Sequence, residues 1–255
     1  MHTHQLFLRW TILSQLLCFI SVIAGLCSAS PADARVPWRT GPPVVVVLDG
    51  INFRASLFGG AASEGYIADA FISSWPATRC RYSRGEVVCD DSSDSLAKLF
   101  EVPWSGNLRE AEDILRYISL AKGLIRAVVE DFSSVSAIVI LGHSWGSVVA
   151  YRSLLELSGE IPSNALDALV TLGSPLTTDS LLILFSAPWL GGVPGGEFVL
   201  ADELSKPSTV RNWLNYYSQC DQISGSVVGA GSNLDYWPSG YGASCAIADW
   251  VKYLT

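Results

Sequence analysis

The chain has 255 residues, of which 49% are hydrophobic and 16% charged, and its formal net charge is −8. Such a composition can bury a large core and leaves little room for long disordered tails. The acidic balance argues against nucleic acid as a partner, because a phosphate-binding surface needs a basic face. The first element is an address. Arg9 precedes an apolar run over 11–26, and small residues follow through Ala32-Asp33-Ala34. This order is that of a secretory signal peptide over 1–34, which leaves one domain over 35–255 and an extracytoplasmic destination. The apolar run falls short of the ~20 residues that a span prefers, so membrane association is expected only through this segment if it stays uncut. Leu26 directly before Cys27 argues against a lipoprotein anchor.

The run Val44-Val45-Val46-Val47 ends in Leu48-Asp49-Gly50 and predicts a strand covered on both faces, as in a parallel sheet. A helix is expected over 61–73. Cys80 and Cys89 then flank a segment that reads as a hairpin. Without the signal segment and its Cys18 and Cys27, four cysteines remain, and an exported chain tends to pair them. Cys80–Cys89 and Cys220–Cys245 are the expected bridges, with four buried thiols as the other reading. The absence of a Cys-x-x-Cys pair speaks against a metal site. The spacing of Asp90, Ser92, Asp94 and Glu101 only loosely echoes a calcium loop, since Ser95 stands where a sharp turn wants Gly. Helix capping by Asp91 or Ser92 is preferred, and no cofactor or metal is expected.

Apolar residues at 108, 111, 114, 115, 118, 121, 124, 125 and 128 recur at helical spacing and predict an amphipathic helix over 107–130. Strands follow over 137–141, 168–172, 213–218 and 226–228, with helices over 147–157 and 243–254. The segment 181–196 is apolar and rich in Gly and Pro, and reads either as a flap over a site or as a buried helix. Strands alternating with helices imply a mostly parallel sheet between helical layers.

Between the strand at 137–141 and the helix at 147–157 stands Gly142-His143-Ser144-Trp145-Gly146. Gly-x-Ser-x-Gly in a strand–turn–helix context holds a serine hydroxyl at the strand's end, beside the free N–H groups of a helix N-terminus. The glycines are needed because a β-carbon there meets the neighbouring strand and helix. With Val170-Thr171-Leu172-Gly173-Ser174-Pro175-Leu176 as the next strand and turn, the chain resembles the lipase- and esterase-type α/β-hydrolases. The resemblance implies a three-layer α/β sandwich, Ser144 as nucleophile, and oxyanion donors at the N–H groups of Trp145 and Ile51. The order nucleophile, acid, histidine in that family places the acid at Asp221, with Asp202 and Asp235 as weaker choices and a loop-capping role as the alternative. The implied partner is a small-molecule ester or lipid-like substrate.

The base is missing from its expected place. The chain's three histidines are His2, His4 and His143, so none follows the elbow. Aligning Tyr236-Trp237 with the family's aromatic puts Asn233, in a loop over 231–236, near the position of the base, and an amide cannot accept and return a proton. His143 is expected to point away from Ser144 and to pack beside the sheet. Asp49-Gly50 stands where related enzymes often carry His-Gly, and a carboxylate aimed at the site would oppose an oxyanion, unless it binds loop N–H groups instead. Losing a base costs such a triad on the order of 10⁶-fold in turnover. Two readings stand at this point: a carboxylic-ester hydrolase with an unrecognised base, and a non-catalytic homologue that binds an apolar ligand or a partner.

Overall fold

The computed structural model describes residues 41–50, 68–69, 71–72, 76–83, 86–89, 95–102, 111–134, 136–176, 204–217 and 225–235. The expectations for 1–34, Ile51, 181–196, Asp202, Cys220, Asp221, Cys245 and 243–254 lie outside these residues. So do most of the helix expected at 61–73 and the capping residues Asp91 and Ser92.

Among the described residues are eight strands: β1 Val44–Leu48, β2 Ala77–Ser83, β3 Glu86–Cys89, β4 Ala97–Glu101, β5 Ile138–His143, β6 Leu166–Leu172, β7 Val210–Tyr217 and β8 Ser232–Asp235. They form one sheet in the order β3-β2-β4-β1-β5-β6-β7-β8, in which β3 alone runs antiparallel to its neighbour. Between them run helix α1, Ala111–Phe132, and helix α2, Trp145–Glu156. Every residue of β1 is buried, as its unbroken β-branched run requires of a central strand. Its side chains divide between two cores by strand alternation. Val44, Val46 and Leu48 pack with α1 and α2, whereas Val45 and Val47 pack with Ala68 and Phe71, which belong to a helical turn on the opposite face. The result is the three-layer, mostly parallel α/β architecture that the element order implies.

The buried stripe of α1 is Tyr117, Ile118, Ala121, Leu124, Ile125, Val128 and Val129. Leu115, expected on this stripe, is exposed, and Tyr117 takes its place two residues on. Helix α2 is buried on most sides, and its Tyr151 stacks on Trp213 of β7 with ring centroids 5.2 Å apart. At their solvent side Lys122 of α1 pairs with Glu156 of α2 at 3.2 Å, and Arg126 of α1 pairs with Glu160 in the turn after α2. Partly exposed pairs of this kind add little beyond the burial beneath them.

Three sequence expectations are corrected. Strand β4 is not among the expected elements, because its Ala-Lys-Leu-Phe-Glu carries two charges in five residues. Burial of Ala97, Leu99 and Phe100 on alternate faces makes it a strand nonetheless. The strand expected at 226–228 is instead a turn, closed by Ala230 N–H donating to Val227 O at 3.1 Å. The strand of this region is β8, so Asn233 lies within the sheet rather than in a loop over 231–236. At the other edge, Cys80 and Cys89 face each other across the β2–β3 pair and their sulfurs are joined at 2.07 Å.

Candidate active site

Strand β5 ends at His143 and α2 begins at Trp145, so Ser144 alone makes the turn. Its backbone sits at φ 50°, ψ −124°, a conformation that costs a residue with a β-carbon about 1–3 kcal/mol. Packing and hydrogen bonds on every side hold it there. Ser144 N–H donates to Leu172 O at 2.8 Å, which extends the β5–β6 pairing by one residue. Ser147 N–H donates to Ser144 O at 3.0 Å, and Ser147 Oγ donates to Gly142 O at 2.9 Å, strapping the first turn of α2 to the strand.

Three glycines make the close approach possible. A β-carbon on Gly142 would stand 2.7 Å from Ser147 Cα. One on Gly146 would overlap Leu48 O and stand 2.6 Å from Asp49 O. One on Gly50 would stand 2.7 Å from Ser144 Cβ. The last two distances bring the end of β1 directly against the elbow. Real Cβ contacts are not that short, so each position is confined to glycine by the backbone or side chain opposite.

Ser144 makes no side-chain cap to α2, so the hydroxyl is not spent on the helix it precedes. The first N–H groups of that helix, Trp145's among them, have no intrahelical acceptor and carry its positive potential. Gly50, the last described residue before Ile51, lies beside Ser144, so the chain leaves β1 at the edge of the site.

Tyr117 supports this arrangement from below, although in the sequence it reads as one more residue of an amphipathic helix. It is buried, and its hydroxyl donates to Asp49 O at 3.4 Å. Burial, then the carboxylates of Asp49 and Glu101, push its pKa well above the ordinary phenol value. The hydroxyl therefore stays protonated and remains a donor to the Asp49 carbonyl across the neutral range.

His143 lies against Gly50 at the end of β1. Its Nδ1 lies 3.3 Å from the point that a Gly50 β-carbon would occupy, the same point that Ser144 Cβ approaches to 2.7 Å. The imidazole and the serine side chain thus converge on one glycine.

Asn233 is placed elsewhere. It stands opposite Asn215, which stands opposite Thr171, which stands opposite Gly142. Three strand spacings of about 4.8 Å separate it from Gly142, roughly 14 Å. Its side chain is engaged: Oδ1 accepts from Asn215 Nδ2 at 2.9 Å and Val227 N–H at 2.8 Å, and Nδ2 donates to Val227 O at 3.0 Å. Asn215 Oδ1 accepts from Thr171 Oγ1 at 2.8 Å, and Trp213 Nε1 donates to that hydroxyl at 3.2 Å. Asn215 also donates to Gly225 O at 2.8 Å, which pins the return of the β7–β8 connection. This ladder is not among the sequence expectations, although Thr171 and Asn215 are visible as polar residues inside expected buried strands. Asp221 falls in that connection, four residues past the end of β7.

No group of three or more possible metal-ligating side chains occurs among the described residues.

No protein-family model matches the chain, and no curated protein does. Solved structures similar to it include an esterase from Pyrobaculum calidifontis, with 14% identity over 74% of this chain and 60% of that one and a TM-score of 0.43. Another is the esterase PF2001 from Pyrococcus furiosus, with 14% identity over 72% and 64% and a TM-score of 0.37. Acyl-protein thioesterase 2 from Zea mays is similar at 13% identity over 89% and 95%, with a TM-score of 0.32. The chain spans less than two thirds of the length of the two esterases. Likeness this distant does not assign chemistry, which rests on the elbow itself.

Proposed function

We propose that the protein is a serine hydrolase of the α/β-hydrolase type that cleaves carboxylic esters through Ser144. The observation that carries this reading is the conformation of Ser144, a non-glycine residue at φ 50° held between a strand end and a helix N-terminus by three sterically confined glycines. Such strain survives where the surrounding structure over-determines it, and it concentrates at functional sites. In this reading Ser144 Oγ attacks the ester carbonyl. The N–H groups of Trp145 and Ile51 receive the oxyanion, and preorganised donors of this kind are a large source of rate. Asp221, four residues past the end of β7 in the sequence, is the acid that the chain order nominates. The substrate is a small ester or lipid-like molecule.

The chain is further read as exported, on the strength of its 1–34 segment and the joined Cys80 and Cys89. The experiment for the catalytic reading is labelling with a serine-reactive fluorophosphonate. Wild type should label rapidly and Ser144→Ala should not. A wild type left unlabelled would instead support a non-catalytic relative.

A further inference from the structure

We propose that Tyr117 is a positioning residue for the oxyanion site, its hydroxyl fixing the peptide that precedes the Gly50–Ile51 donor. This rests on Ser144 being the nucleophile and the N–H of Ile51 an oxyanion donor, and it names what holds that donor in place.

The need for a tether begins at Gly50. A β-carbon there would stand 2.7 Å from Ser144 Cβ and 3.0 Å from His143 O, so the elbow admits only glycine. Glycine is also the residue whose backbone rotates most freely. Strand pairing does not reach it. The register of β1 with β4 ends at Val47 opposite Glu101, and that with β5 ends at Leu48 opposite Gly142. A donor one residue past such a glycine is held only as well as the peptide before it. Oxyanion donors act because they are already in place when charge develops, so that peptide has to be fixed.

The Asp49–Gly50 peptide is held from two helices. Its oxygen, Asp49 O, lies 2.6 Å from the point that a Gly146 β-carbon would occupy, which lodges it against the first turn of α2. From α1, the Tyr117 hydroxyl donates to the same oxygen at 3.4 Å. Tyr117 is 1% exposed and belongs to the same core as Leu48 and Trp145, so its ring has little room to move. Burial keeps the phenolic proton in place, and the donor persists across the neutral range. A peptide unit is planar, so fixing its oxygen restrains its orientation. Only φ and ψ of Gly50 then separate it from the N–H of Ile51, and Gly50 is itself wedged against Ser144.

The test compares labelling of the full chain by a fluorophosphonate and by its P=S analogue, in wild type and in Tyr117→Phe. Sulfur is a weak acceptor, so the P=O reagent draws on the oxyanion donors more than the P=S reagent does. Tyr117→Phe should lower the maximal rate of P=O labelling by about 10- to 100-fold, the scale on which small misplacements act. The reagent concentration at half-saturation should barely move. Labelling by the P=S reagent should fall much less, so the wild-type preference for P=O shrinks. A merely structural role would leave that preference as it is. An unchanged preference, or a loss confined to half-saturation, overturns the assignment and leaves Ser144 as nucleophile. Tyr117→Phe keeps the ring that fills the core. Should it nevertheless not fold, 3-fluorotyrosine at position 117 takes its place. Its fluorine resonance should shift when Ser144 carries the P=O group and shift less with P=S, and an equal response to both overturns the assignment. A wild type that never labels overturns both readings.

Discussion

The elbow at the end of β5 and the polar ladder across β6, β7 and β8 lie in one row of the sheet, since Gly142, Thr171, Asn215 and Asn233 are successive partners. They meet opposite demands. At Gly142 no side chain fits, and the next residue but one is held in a strained backbone by contacts from three directions. At Thr171 and Asn215, polar side chains are fully buried and are satisfied by one another, by Trp213 and by Asn233. The elbow is built by exclusion and strain, the ladder by hydrogen-bond satisfaction. A substitution at the first should therefore remove reactivity, and one at the second should remove stability while Ser144 still reacts.

The largest effect is expected at Gly146. A methyl group there overlaps the Leu48 carbonyl, a backbone atom that cannot swing aside as a flexible side chain can. Gly146→Ala should cost about 3 kcal/mol, at the upper end of overpacking penalties, and should abolish labelling of Ser144. Urea unfolding and fluorophosphonate labelling measure the two losses. A variant with wild-type stability and labelling would show that the elbow and β1 are not packed as described.

At the ladder, Asn233→His removes an amide that serves both backbone groups of Val227; Val227 O keeps the Ala230 N–H, but the Val227 N–H loses its acceptor. A group left unsatisfied in this way costs about 1–3 kcal/mol, and urea midpoints should fall accordingly. Labelling of Ser144 should be unchanged, and turnover of a p-nitrophenyl ester should not rise. Increased turnover would mean that position 233 does reach the site, and would break the contrast between the two ends of the row.

The smallest effect sharpens the link between them. Tyr117 has its pKa raised by burial and by Asp49 and Glu101, so the folded state holds the phenolic proton more tightly than the unfolded chain does. The stability this contributes is present below about pH 10 and is lost as pH rises beyond the unfolded value toward the folded one. Tyr117→Phe lacks that term and loses one hydrogen bond, worth about 1 kcal/mol near neutrality. Urea midpoints at pH 8 and pH 10.5 should therefore show wild type losing its advantage as pH rises. A difference that stays constant would mean that the phenol is not buried against Asp49.

Much of this is legible in the amino-acid sequence. The Val44–Val47 run suits only a central strand, and Gly142, Ser144 and Gly146 mark the elbow, because β-branched burial and steric exclusion are local properties of the residues concerned. Strand β4 is hidden by Lys98 and Glu101, since a short strand with two charges declares itself only through the neighbours that bury its other residues. The 226–228 segment misleads for the converse reason. Three residues of strand-like composition do not form a strand when a side chain from β8, Asn233, takes both hydrogen-bonding groups of Val227.

The layered α/β architecture, the position of Ser144 and the absence of a histidine after it are all set by the order of residues alone, because periodicity, glycine spacing and residue identity are written along the chain. The groups that surround that serine are set by the folded arrangement. It turns His143 toward Gly50, brings the end of β1 against the elbow, places Tyr117 under Asp49, and ties Asn233 into a ladder strands away. These relations depend on the register between strands that are distant in sequence. Strand pairing, hydrogen bonding and close packing fix that register, and no local pattern encodes it.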